Sequence, residues 1–343
     1  MTSPLNSCVK LSLLFALILL SNAAASFAQK PNEMPSSKNS IRISVGRVDV
    51  NATVTDSHGH FISGLHREDF RVFDNGVERP ITAFASNNDP SQVVLLIECG
   101  TADFLLAKLA RGLFLNVETF LNRLPPSDRI AIVTYSDHAR LVLDFTSEKP
   151  AVRLALRDLN SQLLHSAVGS GSLDLSASLA AVLYWLRSVP GKKTIVLLST
   201  GIDNSSPNSW QTVQQTLKTS DVNILAVSAF GDLRKFPAHR KLSSDDRAER
   251  AFVKQGISDA DQWLHQLSTA TGGHVYFPKD AKDFDHAYVD IAQLVLGQYN
   301  LAFAPSSLDG KIHSIDVKVK APWYRRYHVD HREAYIAGAE AAN

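Results

Sequence analysis

Cysteine is nearly missing from this chain. Only Cys8 and Cys99 occur, so a disulfide framework is excluded as the source of stability. An excess of one charge is missing too: Lys plus Arg number 35 against 34 for Asp plus Glu. That balance removes the electrostatic case for nucleic acid. After Leu20 no apolar run is long enough to cross a bilayer as a helix. Common catalytic signatures are also lacking. There is no Gly-x-Ser-x-Gly elbow, no His-Glu-x-x-His and no phosphate-binding glycine loop after a strand. The enzyme classes built on those motifs are therefore disfavoured, and no cofactor is called for.

What is present begins with a secretory pattern. Lys10 precedes the compact apolar run Leu11 to Leu20, and small residues lead to Ser26-Phe27-Ala28. This predicts a signal peptide over residues 1–28, cleaved after Ala28, and a chain exported to the periplasm or beyond. Cys8 leaves with the signal. Cys99 then remains as a lone thiol, expected to be buried packing rather than a nucleophile. Residues 29–40 are polar, carry Pro31 and Pro35, and read as a linker.

Residues 41–86 read as β structure. Ile41 to Thr55 alternates near period two, which fits a half-buried strand. Ser57-His58-Gly59-His60 is a turn, Asp74-Asn75-Gly76 is a tight-turn signal, and Pro80 to Phe84 returns as a strand. Residues 298–336 repeat this character, with Tyr299 to Ala304, Ile312 to Lys320 and Tyr324 to His328 as strands. Residues 337–343 read as a tail. Each half is too small to bury a core alone, so the two are expected to pack as one β-sandwich.

Between the halves, residues 91–297 alternate strand and helix. Ser91 to Glu98 contains a continuous apolar run, as a strand buried on both faces requires. Ala102 to Leu124 has helical periodicity and stops at Pro125-Pro126. Further strands are expected at Arg129 to Tyr135, Thr194 to Ser199, Val222 to Ala229 and His274 to Phe277. Arg140 to Phe145 is expected to add an antiparallel strand. Helices are expected over Pro150 to Leu164, Leu173 to Val189, Trp210 to Thr219, Asp259 to Thr271 and Asp283 to Leu296. This order predicts an α/β fold, a doubly wound and mainly parallel sheet with helices on both faces. Gly231 to Gly256 is densely charged and reads as a solvated loop with a frayed helix.

In such sheets ligands sit beyond the carboxyl ends of the strands. Glu98-Cys99-Gly100-Thr101-Ala102 occupies that place. The stretch resembles the first strand and metal loop of a von Willebrand factor A domain, where Asp-x-Ser-x-Ser begins a metal-ion-dependent adhesion site. Three further patterns extend the likeness to exported von Willebrand factor A-related proteins of the acidobacterial type. They are Gly64-Leu65-His66-Arg67-Glu68-Asp69-Phe70, Thr271-Gly272-Gly273-His274-Val275-Tyr276-Phe277-Pro278 and Gln298-Tyr299. The resemblance implies five metal-ligand positions, which fall on Glu98, Gly100, Ala102, Leu173 and Thr200. None keeps the family residue, and Gly100, Ala102 and Leu173 bring no side-chain oxygen. Thr101, Ser172 and Asp203 lie next to these positions. Magnesium dehydrates reluctantly and needs carboxylate help, so the adhesion-type metal site reads as degenerate.

The expectation is therefore an exported, non-catalytic interaction or adhesion module that works without a metal ion. Its partner would be a protein or a cell-envelope polymer, met through Glu98, Gly100, Thr101, Ala102, Ser172, Leu173, Thr200 and Asp203. Two alternatives stay open: a metal-dependent adhesion domain using Glu98 and neighbouring oxygens, and an uncharacterised hydrolase using Cys99 or Glu98. Glu98 itself is either a structural cap near a helix N-terminus or a ligand-facing acid. Twelve histidines also supply the pairs His58 with His60 and His328 with His331, of a kind that arises often by chance.

Overall fold

The computed structural model describes residues 46–58, 60–86, 88–99, 117–165, 172–204, 207–229, 244–320 and 326–338. The expected signal peptide, the linker, Ile41 to Val45 and most of the helix expected from Ala102 lie outside these residues.

The centre is a six-stranded sheet. Its strands are β5 (Ser91–Glu98), β6 (Arg129–Tyr135), β7 (Ala139–Thr146), β8 (Lys192–Ser199), β9 (Val222–Ser228) and β10 (Val275–Tyr276), in the order β10-β9-β8-β5-β6-β7. All neighbours are parallel except β6 and β7. Every residue of β5, β8 and β9 is buried. Their side chains divide by alternation between two helical layers. Val93, Leu95 and Ile97 pack with α1 (117–123), α2 (Lys149–His165) and α6 (Ala281–Gly297). Val94 and Leu96 pack with α3 (Leu175–Leu186), α4 (Pro207–Thr219) and α5 (Ser244–Ala270).

Helix starts differ from the sequence reading, those of α3 and α5 among them. α3 begins at Leu175, not Leu173, because the Asp174 carboxylate accepts the Ala177 N–H at 2.7 Å and caps the helix. α5 begins at Ser244 rather than at Asp259, so the second half of the charged segment, read as loop with a frayed helix, is one helix with the stretch that follows. Its first turns are polar, but Ile257, Ala260 and Leu264 hold one face against the protein, and that tertiary burial extends the helix.

The flanking β segments form two four-stranded antiparallel sheets. One has the order β13-β1-β11-β4, from β13 (Tyr327–His331), β1 (Val48–Asp56), β11 (Gln298–Phe303) and β4 (Ile81–Ala85). The other has the order β14-β12-β2-β3, from β14 (Ala334–Ile336), β12 (Ile312–Val319), β2 (Phe70–Asp74) and β3 (Val77–Arg79). Each sheet joins strands from both ends of the chain, and together they enclose one core that includes Val50, Val72, Tyr299 and Val317. The hairpin at Asn75-Gly76 has both residues at positive φ, 49° and 80°, as a primed turn demands. β14 had no sequence signal. Ala337, assigned to a tail by the sequence, is fully buried in the sandwich core.

The sandwich docks on the amino-terminal end of the parallel strands. Arg332 is 4 % exposed; it donates to the carbonyls of Ser220 at 2.8 Å and Asp49 at 2.5 Å. Asn51 donates to the Asp221 carbonyl at 2.8 Å, and Lys193 pairs with the Asp221 carboxylate. At β8, the Lys192 ammonium reaches the Gln298 carbonyl at 3.5 Å. Gly272 (φ 70°) lies so close to the backbone of His331 and Arg332 that a Cβ would come within 2.8 Å. The carboxyl-terminal end of the sheet is thereby left facing away from the sandwich.

Candidate functional site

The strand order reverses between β5 and β8: from β5 the chain moves to β6 and β7, then returns to β8 on the other side. That is the switch point at which an open α/β sheet forms its crevice. Glu98 ends β5 there, Tyr135 ends β6, and Ser199 ends β8.

The three strand ends converge on one carboxylate. Glu98 Oε2 accepts the Thr200 N–H at 2.8 Å, the Ser199 hydroxyl at 3.1 Å and the Tyr135 hydroxyl at 3.0 Å. The Thr200 hydroxyl lies 3.0 Å from Oε1 and 2.9 Å from Oε2. Tyr135 and Ser199 are themselves 2.6 Å apart. The turn beyond β8 continues the network: the N–H of Gly201 donates to Ser199 Oγ at 2.8 Å, and that of Ile202 to Thr200 Oγ1 at 3.2 Å. Gly201 has φ 80°, and its Cα faces the Ala260 carbonyl of α5 so closely that a Cβ would sit 2.5 Å from it. α5 therefore presses on the turn that carries Thr200.

Burial governs the electrostatics. It pushes the Glu98 carboxyl above the usual carboxylate range, opposed by the N–H and hydroxyl of Thr200 and the hydroxyls of Tyr135 and Ser199. Burial and the neighbouring Glu98 raise the Tyr135 phenol well above its ordinary value. Cys99, half-buried against the core, has its thiol pushed up to about 12, by burial first and Glu98 second. Such a thiol carries almost no thiolate near neutrality.

Of the residues singled out by sequence, Glu98 and Thr200 meet directly. Leu173 does not join them: it is 1 % exposed and packs in the core beneath α3. Its carbonyl accepts the Asn204 N–H at 2.8 Å, while the Asp174 N–H reaches the Ser136 carbonyl at 2.7 Å. The 172–174 loop is thus stitched between the turns after β6 and β8. Ser172 is exposed, and Asp203 accepts a hydrogen bond from Ser176 on α3. Gly100, Thr101 and Ala102, with the start of the following helix, lie outside the described residues. The cap expected of Glu98 at the following helix lies outside the described residues, while β6, β8 and the turn after β8 all supply donors to its carboxylate. Tyr135 and Ser199 were missed. Each carries a hydroxyl in the last position of its strand.

Residues 113–288, just over half of the 343-residue chain, match the von Willebrand factor type A domain family. The chain belongs to that family. The matched segment starts after β5, so Glu98 and the residues that follow it precede it. No curated protein matches the chain. Several solved structures resemble the chain at low identity. A von Willebrand factor type A protein from Catenulispora acidiphila is 11% identical with TM-score 0.43, over 86% of this chain and 75% of that one. An aerotolerance-related membrane protein from Bacteroides fragilis is 14% identical with TM-score 0.42, over 60% and 98%. The PilB minor pilin from Streptococcus sanguinis is 11% identical with TM-score 0.38, over 61% of each chain.

The far end of the sheet holds a separate groove of about 920 Å³, lined among others by Phe61, His265, His274, Tyr276 and Asp290. It lies between the sandwich and the β10 edge, remote from the β5–β8 switch point. Among the described residues no helix is long and apolar enough to cross a membrane.

Proposed function

We propose that this von Willebrand factor A chain is an exported, non-catalytic interaction module. Its crevice works without a metal ion and meets a protein or a cell-envelope polymer at the carboxyl end of the sheet. One observation carries the reading: both oxygens of Glu98 are engaged by N–H and O–H donors of the protein itself. A hard cation needs oxygen lone pairs turned towards it, commonly from more than one carboxylate. Here Thr200 stands where the family would have its last acid, and it donates to Glu98 instead of sharing a cation with it. Leu173 supplies carbon where the family would supply a hydroxyl. This donor set does not fit the adhesion-type metal, and no step of recognition is assigned to one.

Catalysis draws no support from the same groups. Glu98 accepts from the hydroxyls of Tyr135, Ser199 and Thr200, and the Cys99 thiol, pushed up to about 12, stays protonated near neutrality. Export is supported by the Lys10, Leu11 to Leu20, Ser26-Phe27-Ala28 pattern, and the position of the sandwich leaves the opposite end of the sheet for a partner.

The test is thermal unfolding in chelator and in millimolar Mg²⁺ or Ca²⁺. An ion that binds only the folded state at a hundred times its Kd stabilises by about 2.7 kcal/mol, so a site would be visible as a rise in Tm. The native chain is expected to show none. A variant restoring the family pattern (Glu98→Asp, Gly100→Ser, Ala102→Ser, Leu173→Thr, Thr200→Asp) should gain a metal-dependent rise. A rise in the native chain that Glu98→Gln abolishes would instead establish the metal-dependent reading.

A further inference from the structure

The turn after β1 carries a cluster that the crevice does not use. Asp56 is the last residue of β1; His58 and His60 follow in the turn. The turn is closed by its backbone: the Asp56 N–H donates to the His60 carbonyl at 2.9 Å, and Thr55 bridges Phe61. Asp56 Oδ1 is fixed by the N–H groups of His58 at 2.8 Å and His60 at 3.0 Å. Its second oxygen is then presented to both imidazoles, 3.2 Å from His60 Nδ1 and 3.9 Å from His58 Nδ1. The two rings lie 6.0 Å apart, inclined by 26°.

We propose that Asp56, His58 and His60 form a binding site for a late first-row divalent cation of the zinc class, with a coordination position left open to solvent or a partner. One ligand atom from each residue lies within 4.8 Å of the others, and among the described residues this is the only such group of three. Tetrahedral zinc, with bonds of about 2.0–2.2 Å, sets its nitrogen and oxygen donors roughly 3.3–3.5 Å apart. The Asp56–His60 spacing is already there. The His58 nitrogen, 3.9 Å from the Asp56 carboxylate and within 4.8 Å of the His60 nitrogen, must close in by about 0.5–1.5 Å. His58 and His60 have side chains 77% and 79% exposed, so rotation about their χ angles meets little packing. Two imidazoles and one carboxylate select zinc, copper or nickel over magnesium and calcium, which prefer all-oxygen cages. Backbone hydrogen bonds hold the Asp56 carboxyl below the usual carboxylate range, so the anionic ligand is present at neutral pH. The other histidine pair is built differently. His331 Nδ1 faces the Arg332 carbonyl at 2.8 Å and its Nε2 faces the Val317 N–H at 3.2 Å, so both ring nitrogens are committed within the sandwich.

The experiment is calorimetric titration of the full chain with Zn²⁺ alone, in a buffer that does not chelate it. The native chain should bind one equivalent. Losing an outer-shell partner of a metal ligand alone weakens binding about 10–100-fold. His58→Gln and His60→Gln should therefore each weaken it by at least about tenfold, with Tm in chelator unchanged because both side chains are exposed. His328→Gln should leave binding as it was. Absence of binding would overturn the proposal, and so would binding that survives His58→Gln with His60→Gln. Neither result would bear on the crevice, whose test uses Mg²⁺ and Ca²⁺ and a different set of residues.

Discussion

The two ends of the central sheet bury ionisable groups in opposite surroundings, Glu98 at one end and Lys192 at the other. At the carboxyl end, Glu98 is 8 % exposed and surrounded by uncharged donors; at the amino end, Lys192 is 1 % exposed and lies beside the sandwich. Burial disfavours the charged form of both. It raises the Glu98 carboxyl and lowers the Lys192 ammonium to about 8. Their surroundings differ. Glu98 is closed on its own domain by strand ends and one turn. Lys192 sits in a junction of charges and amides that joins two domains. The amino end is thus committed to holding the sandwich, and the carboxyl end remains available for recognition.

The largest break in this comparison should come from the junction. Arg332→Met removes the donors to Ser220 and Asp49 and leaves two carbonyls without them at a buried interface. Loss of such a buried charged partner destabilises by about 3–5 kcal/mol. Urea unfolding should show that loss, and a loss below about 1 kcal/mol would mean the domains do not depend on this contact.

At the other end, Tyr135→Phe removes one hydroxyl from Glu98 and Ser199 while keeping the ring. It should cost about 1–3 kcal/mol, the range for leaving buried polar groups short of a partner. Ser199 and Thr200 still serve Glu98, so the loss should be smaller than at Arg332. A neutral result in the same urea assay would show that the phenol is a bystander to the network.

The smallest and sharpest effect is in pH. A raised carboxyl pKa means the folded state binds more protons than the unfolded one. The Glu98 contribution is therefore most favourable below the ordinary carboxyl range and declines as pH rises towards its folded pKa. Lys192 works in a different window. Its charged form opposes folding below about pH 8, and that opposition fades as pH rises from 8 towards 10.5. Stability profiles of Glu98→Gln and Lys192→Met, each subtracted from the native profile, should slope in opposite senses in those windows. One group can contribute at most about 1.4 kcal/mol per pH unit. Equal slopes, or flat differences, would refute the contrast between the ends.

Residue patterns determined much of this protein. The fully apolar stretches of β5, β8 and β9 had to be strands buried on both faces, and the Asp74-Asn75-Gly76 hairpin followed from its need for positive φ. The alternation of strand and helix then required a mainly parallel sheet. Tertiary structure alone decided the rest. α5 runs from Ser244 through Ile257 and Ala260, whose burial against the protein could not be read from the charge of the segment. β14 is held by pairing with β12, across a span of chain that no short window contains. Tyr135 and Ser199 became partners of Glu98 only when three strand ends, far apart in sequence, were brought side by side. Hydrogen bonds act over about 3 Å, and which hydroxyls come that close to a carboxylate is settled by strand order rather than by spacing along the chain.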